Sequence, residues 1–177
     1  MLPLVLASTS IYRKQLLERL GLPFDCIAPI NVDEEALNLP PEQLVMALAR
    51  QKAESVAGTL GDAIVIGSDQ VGVLDGQILT KPHTSEKAES QLMAMAGREH
   101  QLLTGVYVLN TKSGQFRQHL DCHRLTLRTL SAAEISDYVA REQPLDCAGS
   151  YKIEGLGISL MERIDGSDFT AIVGLPL

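Results

Sequence analysis

Four short polar clusters carry the residue types of this chain that are best suited to chemistry, and each follows an apolar run. They are residues 8–13, 67–70, 81–82 and 149–155. In open α/β sheets, ligands bind in the crevice outside the strand ends. Small hydroxyls followed by an arginine suit an anion, and a lone carboxylate suits a metal ion or a proton. Together the clusters predict a phosphate ester that is bound and then cleaved.

The first cluster predicts phosphate binding at the start of a helix. Ser8 and Ser10 precede a helical stretch, and free backbone N–H groups at such a helix start attract anions. Arg13 adds a forked cation one turn into that helix. The alternative is an ordinary helix cap followed by a surface arginine.

Two lysines are further candidates for phosphate binding. Lys52 falls in the apolar stripe of a predicted helix, in line with Leu44 and Leu48. A lysine on an apolar face either extends its ammonium group to water or finds an anion. Lys81 precedes Pro82 after a predicted hairpin, and its alternative is an ordinary lysine at a strand end.

Asp69 is the candidate for the chemical step. It follows Gly67 and Ser68 at the end of a predicted buried strand, where an unused carboxylate would be costly. The alternative is a turn aspartate that caps its own backbone. The acidic residues 33–35 read alone as a solvated charge run, but with Asp69 they could hold a divalent cation through oxygen ligands.

Composition excludes several classes of protein. The 177 residues, 45% of them hydrophobic, suffice for one domain or two tightly joined lobes. A net charge of -7 disfavours a nucleic-acid binder. Three widely spaced cysteines, with no CxxC pair, disfavour a disulfide framework or structural zinc and fit a reducing cytoplasm. No signal peptide or membrane span is apparent, so we expect neither nucleic acid nor membrane as a partner.

The order of the predicted elements indicates a mixed α/β sheet flanked by helices. Helices are predicted over residues 11–20, 41–57, 85–95 and 132–141, and strands over residues 2–7, 23–28, 63–66, 71–74, 77–79, 100–110, 115–128 and 167–173. The sequence stops in the apolar residues 174–177 without a terminal helix, and we therefore expect it to be truncated there.

Taken in order, the clusters resemble the Maf family of nucleoside triphosphate pyrophosphatases. The matching segments are LASTSIYR (6–13), Asp33-Glu34, Lys52-Ala53, SDQV (68–71), Lys81-Pro82, LMAMAGREH (92–100), PLDCAGSYKIEG (144–155) and VGLPL (173–177). They span nearly the whole chain. The resemblance implies a single Maf-like domain over residues 1–177, with an elongated twisted sheet and two lobes around a nucleotide cleft.

The resemblance also implies an activity and a set of roles. The enzyme would split a nucleoside triphosphate between the α and β phosphates and so keep modified nucleotides out of nucleic acids. Asp69 would be the general base. Ser8, Ser10, Arg13, Lys52 and Lys81 would bind the phosphates. Glu34 and Asp69 would hold a divalent cation, Mg²⁺ or Mn²⁺. The partner would be a small nucleotide, and a homodimer is compatible with this class.

Three positions resemble the branch of the family that acts on 7-methyl-GTP. They are Tyr12, Gln70 and Glu154, where the branch acting on dTTP and UTP typically has Arg, Thr and Gln. Methylation at N7 makes guanine cationic, which favours an aromatic face. The guanine edge has N–H donors, which suit the acceptor-only carboxylate of Glu154. The alternatives are a dTTP and UTP pyrophosphatase, and a non-catalytic nucleotide-binding regulator of cell division.

Overall fold

The computed structural model describes residues 2–32 and 38–177. Within them the strands are β1 (Leu4–Leu6), β2 (Asp25–Cys26), β3 (Ile64–Leu74), β4 (Gln77–Leu79), β5 (Glu99–Asn110), β6 (Phe116–Leu127) and β7 (Met161–Asp165). The helices are α1 (Ile11–Glu18), α2 (Pro41–Ala57), α3 (Ser85–Met95), α4 (Ala132–Glu142) and α5 (Phe169–Val173), with short 3₁₀ helices at Ala148–Ser150 and Leu156–Leu160. The predicted mixed α/β class is confirmed.

All of these strands belong to one sheet with the order β2-β1-β3-β5-β6-β7, and β4 also pairs with β3. Strand β1 runs parallel to both β2 and β3. The pairs β3–β4 and β6–β7 are antiparallel. The sheet therefore combines crossovers through helices with hairpin connections.

The chain packs as two compact units. Of the described residues, the first contains 2–32, 38–70, 104–121 and 168–177, and the second contains 71–103 and 122–167. Strands β3, β5 and β6 each contribute residues to both units. This division agrees with the expected two lobes, whereas the nucleotide cleft and the single-domain assignment stay predictions.

Strand β1 separates two apolar clusters in the first unit. Val5 and Ala7 pack with residues of α2, whereas Leu6 packs with α1 and with Leu175 of the C-terminal segment. Successive side chains of a strand point to opposite faces of the sheet. Helix α2 and the C-terminal segment therefore cover opposite faces of β1.

The second unit is built on two capped helices. Thr84 caps α3 by accepting a hydrogen bond from the Lys87 backbone N–H at 3.2 Å. Ser131 and Glu134 form a capping box at the start of α4, as the sequence pattern predicts. Both predicted helices are confirmed to within one residue at their ends.

Two predicted elements are wrong. The predicted strand over 167–173 is the helix α5, because the Asp168 side chain accepts a hydrogen bond from the Thr170 backbone N–H at 2.8 Å and caps a helix start. The predicted strands 63–66 and 71–74 are parts of one strand, β3. Asp69 therefore lies within a strand instead of ending one.

The pattern also missed one strand and overextended another. Strand β7 is short and partly exposed. Its apolar pattern is therefore weak, and the sequence does not predict it. Strand β2 covers only two of the six residues predicted over 23–28, and both are exposed.

Two glycines allow α2 to lie directly against the sheet. A Cβ atom on Gly67 of β3 would stand 2.1 Å from the carbonyl oxygen of Ala49 and 2.7 Å from the nitrogen of Ala53. A Cβ atom on Gly105 of β5 would stand 2.9 Å from the carbonyl oxygen of Val45. Any side chain at these positions would push the helix away from the strands.

We expect Gly67→Ala to lower the free energy of unfolding by about 1–3 kcal/mol, because the added methyl group overlaps the backbone of α2. Urea denaturation measures this change. The control is Gly61→Ala, where an added Cβ meets no atom within 4 Å and a change within about 0.5 kcal/mol is expected. Equal stability of the two variants would mean that the close approach of α2 has no structural importance.

Candidate functional site

The loop between β1 and α1 is held by its own serine hydroxyls. The Ser8 hydroxyl accepts a hydrogen bond from the Ser10 backbone N–H at 3.1 Å, and the Ser10 hydroxyl accepts one from the Arg13 backbone N–H at 3.4 Å. Ser10 is thus the N-cap of α1, as in the simpler of the two sequence interpretations. Phosphate binding by these two serines stays a prediction.

Arg13 is anchored to the other end of the chain. Its Nε donates a hydrogen bond to the carbonyl oxygen of Gly174 at 2.9 Å, across a separation of 161 residues. Such an anchor fixes the direction of the guanidinium group. Arg13 is therefore half-buried and anchored, and its binding of phosphate stays a prediction.

A buried ion pair joins α2 to β3. The Nζ atom of Lys52 lies 2.5 Å from Oδ1 of Asp69, and the two side chains are only 11% and 9% exposed. Lys52 therefore does not extend its ammonium group to water, and Asp69 does not cap a turn. The sequence placed both residues among the candidates but assigned Lys52 to phosphate, and the structure brings it directly to the carboxylate.

The neighbours of Asp69 on β3 point to the opposite face of the sheet. The Ser68 hydroxyl lies 2.9 Å from the carbonyl oxygens of Gly105 and Gly174. The Gln70 amide nitrogen lies 2.8 Å and 2.9 Å from the carbonyl oxygens of Ala171 and Ile172. Strand β3 thus presents a carboxylate to α2 and two hydrogen-bond donors to the C-terminal segment.

The C-terminal segment supplies a carbonyl cluster, by which we mean the backbone oxygens of Ala171, Ile172 and Gly174. These oxygens accept hydrogen bonds from four side chains, those of Arg13, Ser68, Gln70 and Thr104. The last carbonyls of a helix have few partners within the helix. The carbonyl of Ala171 also accepts a hydrogen bond from the Gly174 backbone N–H at 3.0 Å, and an oxygen with two lone pairs can accept more than one. Sequence reasoning missed both the cluster and Thr104, although residues 173–177 had been noted as part of the family pattern.

The remaining predicted residues belong to the second unit. Lys81 is exposed and lies two residues beyond β4, next to the buried Pro82. Glu154 is also exposed, and it follows the buried Ile153. Tyr12, by contrast, is a half-buried residue in the first turn of α1, in the first unit. Joint action of these residues on one ligand stays a prediction.

The segment that carries Glu154 is braced by buried aromatic groups. Nε2 of His100 lies 2.9 Å from the hydroxyl of Tyr151, and the Tyr138 hydroxyl accepts a hydrogen bond from the Lys152 backbone N–H at 3.0 Å. Burial lowers the pKa of His100 to about 4, so the imidazole is neutral at pH 7. Burial also raises the pKa of both tyrosines, which therefore act as neutral hydrogen-bonding groups.

The predicted metal site can be assessed only in part. Glu34 lies outside the described residues, and in residues 2–32 and 38–177 no three His, Cys, Asp or Glu side chains are grouped to hold a metal ion. Asp69 is thus the single described carboxylate of the predicted pair. Across the same residues, no helix is long and apolar enough to cross a membrane.

Comparisons with known proteins agree along the whole chain. The family described as Maf-like protein matches residues 3–177. A 7-methyl-GTP pyrophosphatase of Pseudomonas putida is 52% identical over 180 residues, covering 100% of this chain and 92% of that protein. A protein of the same name from Syntrophotalea carbinolica is 47% identical, with 98% and 89% covered. Another, from Pseudoalteromonas translucida, is 46% identical, with 99% and 87% covered.

Removal of the cation from the buried pair should be strongly destabilising. Lys52→Met leaves Asp69 buried without its partner, and we expect a loss of about 3–5 kcal/mol in the free energy of unfolding. Urea denaturation at neutral pH measures this loss. The double variant Lys52→Met with Asp69→Leu removes both charges and should recover most of it.

Lys14→Met is the matched control for this experiment. Lys14 lies on a helix, like Lys52, but its ion pair with Glu18 is 3.8 Å long and both side chains are about half exposed. Such a pair contributes less than about 1 kcal/mol. If Lys52→Met is no more destabilising than Lys14→Met, the contact with Asp69 does not support the fold.

Proposed function

The chain belongs to the Maf family, and we propose that it is a nucleoside triphosphate pyrophosphatase that hydrolyses 7-methyl-GTP to 7-methyl-GMP and diphosphate. The observation that carries this proposal is the buried pair of Lys52 and Asp69 in a chain that is about half identical to proteins named 7-methyl-GTP pyrophosphatase. In the cytoplasm, the reaction would remove a modified nucleotide before it enters nucleic acids.

Asp69 acts as the general base in the proposed reaction. Lys52 binds Oδ1, which leaves Oδ2 to accept a proton from water. The water oxygen bonds to the α- or the β-phosphorus, and the bond from that phosphorus to the bridging oxygen breaks. The electron pair leaves with diphosphate in the first case and with 7-methyl-GMP in the second, and Asp69 later gives its proton to solvent. Such a transfer requires an oriented water and neutralised phosphate charge more than covalent participation of the protein.

Phosphate charge is neutralised by groups that the fold holds in fixed positions. Arg13 is anchored through Nε, and the first turn of α1 contributes its positive dipole end. Lys81 is assigned the same role from its position in the family pattern. A triphosphate needs several such groups, because each adds only part of the required charge compensation.

A divalent cation, Mg²⁺ or Mn²⁺, would be held by Asp69 together with Glu34. Magnesium is often bound by one or two carboxylates and by the phosphates of the substrate, so two carboxylates are enough to hold it. The bound cation would supply charge neutralisation on the phosphate oxygens.

Removal of the base should abolish most of the activity, and the loss should exceed what the lower stability of a fold with an unpaired Lys52 explains. Asp69→Asn keeps the size of the side chain, and we expect kcat for 7-methyl-GTP to fall by about 10²–10⁴. The assay is diphosphate release with and without Mg²⁺ or Mn²⁺, and circular dichroism checks the fold. Asp62→Asn is the control, because Asp62 is an exposed partner of Lys112. Near-normal turnover of Asp69→Asn would exclude Asp69 as the base.

Base selection should depend on Glu154. Glu154→Gln replaces an acceptor oxygen by a donor, and an unmatched donor costs about 1–3 kcal/mol, which is about 5-fold to 150-fold in kcat/KM for 7-methyl-GTP. The loss should be smaller with dTTP and UTP, whose base edges differ. Glu162→Gln, an exposed change in the same unit, is the control. Equal losses with all nucleotides would exclude Glu154 from base selection, and a wild type that prefers dTTP would refute the proposed substrate.

A further inference from the structure

The side-chain amide of Gln70 has a defined orientation. Its Nε2 atom lies 2.8 Å from the carbonyl oxygen of Ala171, 2.9 Å from that of Ile172 and 2.9 Å from Oγ1 of Thr104. The two carbonyl oxygens can only accept hydrogen bonds. A flipped amide would bring Oε1 within hydrogen-bond distance of both, where it would be repelled. The NH₂ group therefore faces the carbonyl cluster, and Oε1 faces away from it.

Thr104 supplies the third acceptor, and its own hydrogen bond determines that role. It lies on β5, next to β3 in the sheet, and is only 1% exposed. The hydroxyl donates its single proton to the carbonyl oxygen of Ala171 at 2.9 Å. Its oxygen, Oγ1, can then only accept a hydrogen bond, and it lies 2.9 Å from Nε2 of Gln70. Thr104 and Gln70 are thus joined through a shared backbone carbonyl.

We propose that Thr104 is a positioning residue for base selection, because it holds the Gln70 amide so that Oε1, a hydrogen-bond acceptor, is presented to the nucleobase. This inference rests on the proposed function and on the role in base selection that the family resemblance implies for Gln70. An acceptor in a fixed direction suits a base whose edge carries N–H donors, as the guanine edge does at N1 and N2. An amide displaced from this position would turn Oε1 away from that direction and would lose this discrimination.

Two substitutions distinguish the effect of the Thr104 hydroxyl from the effect of its branched shape. Thr104→Val puts a methyl group where the hydroxyl lies 2.9 Å from both Nε2 of Gln70 and the Ala171 oxygen. That distance is shorter than a carbon atom accepts, so the Gln70 amide is displaced and loses an acceptor. Thr104→Ser keeps the hydroxyl and removes only the methyl group. If the hydroxyl determines the nucleotide preference, that preference should change in Thr104→Val and stay unchanged in Thr104→Ser.

The experiment measures kcat and KM of the wild type and both variants with 7-methyl-GTP, GTP, dTTP and UTP. For Thr104→Val we expect kcat/KM to fall at least about fivefold with the two guanine nucleotides, mainly through KM. The fall should be smaller with dTTP and UTP, and Thr104→Ser should keep the wild-type ratios. Equal losses with all four nucleotides, or the same loss in the serine variant, would overturn the proposal.

A double-mutant cycle tests whether Thr104 acts through Gln70. In a Gln70→Met background, Thr104→Val should no longer change the preference between 7-methyl-GTP and dTTP, because the amide that it positions is absent. An undiminished change in that background would overturn the proposal. Thermal melting checks the fold of each variant, and Thr104→Ala replaces Thr104→Val if the latter is unfolded.

Failure of this inference can be told apart from failure of the proposed function. The wild-type preference among the four nucleotides tests the proposed substrate, whereas the shift between Thr104→Val and Thr104→Ser tests the positioning role. The relative affinities for the α,β-methylene analogues of 7-methyl-GTP and of dTTP test the same base preference without hydrolysis. Unchanged relative affinities in Thr104→Val would refute the positioning role whatever the activity of the wild type.

Discussion

The buried contact between the ammonium group of Lys52 and the carboxylate of Asp69 is the interaction on which the rest of the first unit depends. If either charge were buried here without the other, the loss of its hydration would cost the folded state several kcal/mol. The contact forms only when α2 lies directly on the sheet, and Gly67 and Gly105 permit this because they place no side chain against the helix backbone. In the sequence these glycines resemble loop residues, but in the structure they are needed so that α2 can pack against the strands of the candidate site.

The two faces of strand β3 carry side chains of different kinds. Asp69 faces α2 and meets a cation, whereas Ser68 and Gln70 face the C-terminal segment and meet carbonyl oxygens. The separation places the carboxylate beside its cation and away from the carbonyl oxygens, which would repel it. Asp69, Ser68 and Gln70 therefore do not compete for the same partners, and a role of Gln70 in base selection stays a prediction.

Local patterns predicted the helices α1 to α4 well, but they read α5 as a strand and predicted the site contacts poorly. The bounds of α2 and its apolar stripe follow from helical periodicity, and the stripe drew attention to Lys52. The pairing of Lys52 with Asp69 did not follow, because it depends on how closely a helix and a strand approach each other. The polar residues after Ile66 were interpreted as the end of a strand, whereas their partners lie on other elements and let β3 continue. The bond from Arg13 to Gly174 spans 161 residues, and no local pattern reports such a distance.

The dependence of so many side chains on the carbonyl cluster has a consequence for biosynthesis. The acceptors for Arg13, Ser68 and Gln70 belong to residues 171–174, which the ribosome adds after every residue that they orient. Contacts between such distant parts of a chain also form slowly, because a long loop must close before they contribute. The growing polypeptide can therefore form its earlier helices first, but it acquires an ordered site only when residues 171–174 have been made and have docked.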